Sequence, residues 1–128
     1  MTWNDAVTVA RALWEIARYD LINTALGYQS IHRQLERQPV SRRPVQPEAE
    51  VLICDAVSLA ACFYVKPVLC LQRSVVAARL LRKRGVNARL VIGYRPSPFF
   101  SHAWVEVDGH IVNGSPVYQT RLKLLYTV

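Results

Sequence analysis

The chain has 128 residues, 52% hydrophobic and 20% charged, values of an ordinary folding domain that leave no room for a disordered activator or an acidic tail. Sixteen lysines and arginines against nine acidic residues give a net charge of +7, which favours an acidic partner, whether peptide, protein or nucleic acid. No apolar run approaches the ~18 residues that cross a bilayer, and Asp5, Arg11 and Glu15 interrupt the stretch where a signal peptide is uniformly apolar, so membrane and secreted readings are excluded.

In chain order, Val7, Ala10, Leu13, Trp14, Ala17, Leu21 and Ile22 repeat at the three-and-four spacing of one apolar helix face. A second helix is predicted over 25–37. The segment QPVSRRPVQPE carries three prolines and two adjacent arginines, so helix gives way there to a loop or exposed linker. Helix resumes over 48–64, very apolar, and Pro67 ends it. Another helix starts close to Cys70 and runs to Gly85, the expected left-handed stop, with Arg82, Lys83 and Arg84 where the helix dipole favours cations.

The rest reads as sheet. ARLVIGY is short and β-branched, RPSPFF is a loop, and SHAWVEVDGHIVNG alternates around an Asp-Gly turn as a β-hairpin. The last stretch, VYQTRLKLLYTV, supplies one more strand. Helices followed by an antiparallel sheet make an α+β arrangement, expected as a single domain over 1–128 with a helical part at 1–64.

Three cysteines, Cys54, Cys62 and Cys70, are an odd number without a secretion signal, so they are expected as free thiols in a reducing, cytoplasmic setting. Their spacing, and that of His32, His102 and His110, matches no zinc template, so neither metal nor cofactor is expected. The arginines cluster at 37–43 and 79–84 without interleaved aromatics or a recognition motif, which argues against a nucleic-acid partner. Cys70 lies at the start of a helix, where free backbone N–H groups and the positive end of the dipole favour a thiolate and an oxyanion. His102 begins a strand after a loop, from which an imidazole can face a helix terminus. The residues alone also fit a buried thiol and a structural histidine. Cys54 and Cys62 are expected in the core.

The run CLQRSVVAARLLRKRGVNARLVIGYRPSPFFSHAWVEVDGHIVN resembles the leader peptidases of lasso peptide biosynthesis, small split-B proteins with a transglutaminase-like, papain-related cysteine protease fold. The resemblance covers about 67–113, with CLxRS, the LLRxRG helix end, ARLVIGY and HAWVEVDG in family order and His102 following Cys70 by 32 residues, as in the family. It implies a catalytic core at 67–128, with Cys70 attacking the scissile bond of a ribosomally made precursor and His102 moving the protons. The implied partners are the precursor's leader, a separate delivery protein that recognises it, and a lasso cyclase acting on the freed amine. The same Cys-His site also fits acyl transfer to an amine, and a weakened site fits a scaffold that only binds the precursor.

The family's third catalytic residue is an aspartate in a Val-Asn-Asp sequence, replaced here by Val112, Asn113 and Gly114. A glycine cannot orient an imidazole, which leaves Asn113 as the candidate, as papain-like enzymes use asparagine, provided the strand register brings it round. Asp108 is better explained by its turn with Gly109, and Asp55 is the remaining aspartate to consider. Arg73 matches the CLxRS arginine and either ties down the helix start or lines a substrate groove. Trp104, on the same strand face as His102, and Phe100, just before it, are the other candidate substrate contacts, with the core as Trp104's alternative.

Overall fold

The computed structural model describes residues 3–40, 49–65, 68, 70–96, 99–107, 110–112 and 123–127. Four helices, α1 (Trp3–Leu26), α2 (Tyr28–Arg37), α3 (Ala49–Phe63) and α4 (Cys70–Lys83), precede four strands, β1 (Ala88–Pro96), β2 (Phe99–Val107), β3 (His110–Ile111) and β4 (Lys123–Thr127). The fold is α+β, with α4 packed on β1 and β2. Among the described residues no helix is long and apolar enough to cross a membrane.

α2 begins three residues later than the sequence suggests, at Tyr28 rather than at 25. Gly27 adopts φ 85°, a left-handed conformation open to glycine, and its N–H donates to the carbonyls of Ile22 (3.1 Å) and Asn23 (3.2 Å), closing α1 after Leu26. Gly85 stops α4 in the same way, at φ 83°, with Val86 N–H reaching back to the Leu81 carbonyl at 3.0 Å.

α1 turns a different side to the interior than its apolar periodicity indicates. Ala12, Ile16 and Tyr19 are buried and Leu13 and Ile22 pack partly against them, whereas Trp14 and Leu21 face outward. The inward side also carries Thr8 and Glu15. Glu15 sits at 3% exposure because Arg79 and Lys83 of α4 meet its two oxygens at 2.8 and 2.9 Å, so a polar contact occupies a place that periodicity assigns to an apolar one.

The sheet is antiparallel in the order β3-β2-β1-β4. β1 and β2 pair from Ala88↔Val107 to Pro96↔Phe99, so most of the expected RPSPFF loop is strand, with Arg95 opposite Phe100 and only positions 97 and 98 between the strands. Proline is tolerated there because it ends β1, where one ladder bond is lost rather than an interior one. β2 and β3 pair as the expected hairpin, their Asp108-Gly109 link lying outside the described residues, and the C-terminal strand β4 adds to β1. Ala88, Leu90, Ala103, Val105 and Val107 face the core shared with Val75, Ala78 and Leu81 of α4.

Candidate functional site

Cys70 is the first residue of α4, half-buried at the margin of the core. The first turn of α4 itself contains no acidic side chain, and its leading N–H groups have no partner within the helix. Gln72 in that turn and Ser74, one turn after Cys70, are anchored to different elements. Gln72 Nε2 donates to the Ile16 carbonyl and to Asp20 Oδ1, both at 3.1 Å, tying the helix start to α1. Ser74 Oγ donates to the Ala103 carbonyl at 3.2 Å, tying it to β2 at the residue after His102. Neither residue stands out in the sequence, because nothing local distinguishes an anchoring glutamine or serine from a solvated one.

His102 is the fourth residue of β2 rather than its first, because β2 begins at Phe99, and it stands opposite Gly93 of β1. A glycine opposite leaves that side of the imidazole without a cross-strand side chain. His102 is half-buried, and burial holds its pKa below the usual 6.5. Trp104, two residues on and fully buried, stacks with it at a centroid distance of 6.2 Å and 24° between planes, and donates from Nε1 to Glu106 Oε2 at 2.7 Å. Trp104 is therefore buried on the same side of β2 as the histidine and braces it there. His102, Trp104 and Glu106 alternate with Ala103, Val105 and Val107, the side of the strand that enters the core with α4.

Arg73 lines a cavity of about 220 Å³ with Cys54, Asp55, Ser58 and Val112, and its Nε is buried with no hydrogen-bond partner among the described residues. Asp55 is exposed on α3 and reaches this cavity. Asn113 and Gly114 lie outside the described residues, as does Asp108. Val112 N–H, bonded to the Val105 carbonyl at 3.0 Å, is the last described link before them. Phe100 is placed by the β1–β2 ladder opposite Arg95.

Two cysteines differ from expectation. Cys62 is exposed rather than in the core, because it falls on the outward side of α3 while Ile53, Val57 and Ala60 take the inward one. Cys54 is half-buried, and burial, with the nearby charges of Asp55 and Glu50, pushes its thiol up to about 11, so it is not a thiolate at neutral pH.

The model of the transglutaminase-like superfamily matches residues 13–127, nearly the whole chain and all four strands. The chain belongs to that superfamily. It is also similar to McjB, the microcin J25-processing protein of Escherichia coli, at 43% identity over 56 residues, which cover 44% of this chain and 27% of that protein. The matched segment spans about a quarter of the relative's length. No solved structure matches the chain.

Proposed function

We propose that this protein is a cysteine peptidase that removes the leader from a ribosomally synthesised lasso peptide precursor. The observation that carries the reading is the position of Cys70, first residue of a helix that is hydrogen-bonded one turn later, through Ser74, to the strand bearing His102. The similarity to a microcin-processing protein supports the substrate class.

In this reading His102, kept neutral by burial, accepts the Cys70 thiol proton, and the thiolate attacks the carbonyl carbon of the scissile bond. The negative oxygen that forms is met by free N–H groups at the start of α4. The imidazolium returns its proton to the leaving amine, and neutral imidazole then activates the water that hydrolyses the thioester. The reading requires the His102 imidazole, on the side of β2 away from the shared core, to reach the Cys70 thiol at the start of α4. Asn113 orients the imidazole in place of the family aspartate. Arg73 and Phe100 line the path of the substrate, with Trp104 buried behind His102. The leader arrives with a delivery protein in the cytoplasm, and a cyclase consumes the freed amine.

Mass spectrometry of a precursor incubated with this protein and its delivery protein tests the proposal. We expect leader and core as separate hydrolysed products with the parent protein, and intact precursor with Cys70→Ala or His102→Asn while the circular dichroism of each variant matches the parent. Full cleavage by Cys70→Ala overturns the mechanism. An amine-capped product in place of the hydrolysed one moves the reading to acyl transfer.

A further inference from the structure

α1 has two apolar sides, and only one is used by the fold. On the outer side, Trp3, Val7, Ala10, Trp14, Ala17 and Leu21 follow one another at alternating steps of four and three residues. That spacing lays a continuous seam along a helix, the pattern by which one helix packs against another. Trp3 is 81%, Trp14 62% and Leu21 64% exposed, while Ala12, Ile16 and Tyr19 fill the core from the opposite side. Single exposed apolar residues are ordinary on a protein surface, but two tryptophans and a leucine aligned on one seam form a patch.

The seam is charged along one flank. Arg11 and Arg18 each follow a seam position and stand on the same side of it, Arg18 also donating to Gln34 of α2 and lying 3.9 Å from Glu15. Beyond Arg11, Trp14 forms one wall of a cavity of about 280 Å³ between α1 and the end of α4, whose charged lining is Arg11, Lys83, Arg84 and Glu15. The single carboxylate is already held by Arg79 and Lys83, and Arg84 donates only a long hydrogen bond, 3.4 Å, to Thr8 Oγ1. The flank therefore presents surplus positive charge beside an apolar stripe wide enough for one helix.

From this we infer that the outer face of α1 docks an acidic amphipathic helix of a partner polypeptide, with apolar side chains along Trp3, Trp14 and Leu21 and carboxylates against Arg11 and the cavity at Lys83 and Arg84. A second copy of the chain fits poorly, because an antiparallel two-fold pairing sets arginine flank against arginine flank in a protein of charge +7. A lipid surface fits poorly as well, since the cations lie on one side of the seam instead of both. The cavity at Lys83 and Arg84 stands at the opposite end of α4 from Cys70, about 20 Å along the helix.

The test uses the full chain and a fluorescein-labelled three-heptad helical peptide with leucine at the three-four positions and glutamate at the flanks, beside a matched peptide with lysine for glutamate. By fluorescence anisotropy we expect the glutamate peptide to bind at low salt and weaken as salt rises, and the lysine peptide not to bind. Trp14→Ala and Arg11→Glu each weaken binding by more than about tenfold with unchanged circular dichroism, while Val51→Ala, on the exposed side of α3, changes nothing. No binding of the glutamate peptide, equal binding of both peptides, or indifference to Trp14→Ala overturns the inference. A dimer in sedimentation that Trp14→Ala dissolves reassigns the face to a second copy, and capture by phosphatidylglycerol vesicles without peptide binding reassigns it to lipid.

Discussion

The three thiols of this chain share a chemistry and differ in setting: Cys54 is held protonated by burial and acidic neighbours, Cys62 stands in solvent, and Cys70 starts a helix. His102 is the titrating counterpart. Burial disfavours its charged form, so the folded protein binds that proton less readily than the unfolded chain. The stability it contributes is complete above pH 6.5 and declines as pH falls from there toward the folded pKa, where the loss levels off. We expect thermal melts of the parent to show this limb and those of His102→Gln to show a smaller one, the rest coming from His32, whose pKa burial lowers in the same direction. The same group sets the acid side of activity in the proposed mechanism, because a protonated imidazole accepts nothing from Cys70. The acid limb of kcat/KM should accordingly have its midpoint below 6.5.

At the scale of elements, the first turn of α4 is positioned by side chains that reach other elements. Ser74→Ala removes the bond to the Ala103 carbonyl and leaves a buried acceptor unpaired, which costs about 1 kcal/mol in urea melts. If that bond also sets the distance between the α4 start and β2, kcat falls by more than the stability loss accounts for, with KM nearly unchanged. Glu15 joins α1 to the other end of the same helix. Burial alone raises the pKa of its carboxyl, but hydrogen bonds from Arg79 and Lys83 outweigh that and hold it below 4.5. Its contribution is present above pH 4.5 and lost as pH falls through the folded value. Glu15→Gln should cost about 2 kcal/mol at neutral pH and make the acid limb of stability shallower.

At the scale of the molecule, one core cluster takes residues from all four helices and from β1 and β2. Arg82 stitches three of these elements together, donating from Nε to the Ala88 carbonyl at 2.9 Å and from Nη1 to the Leu35 carbonyl while nearly buried itself. Such sharing predicts one cooperative transition. Urea unfolding followed by tryptophan fluorescence and by far-ultraviolet circular dichroism should coincide, and separated midpoints would divide the helical part from the sheet.

Much of this was legible in the residues because it obeys local rules. Gly85 stops α4 and an alternating run makes β2, since a left-handed cap and a pleated strand are properties of a few consecutive positions. The order of helices before sheet followed from those elements, and Cys70 at a helix start needed only the place where the helix begins. Tertiary structure decided what depends on partners. Periodicity finds the apolar side of α1 but cannot tell a core face from a seam left outside, and here the inward side was settled by Glu15 meeting Arg79 and Lys83, residues more than 60 positions away. The same holds for Arg82, whose place at a helix end suggests only a favourable dipole contact until Leu35 and Ala88 arrive beside it. A hydrogen bond between distant residues leaves no pattern in sequence spacing, because its geometry comes into being only when the chain has folded.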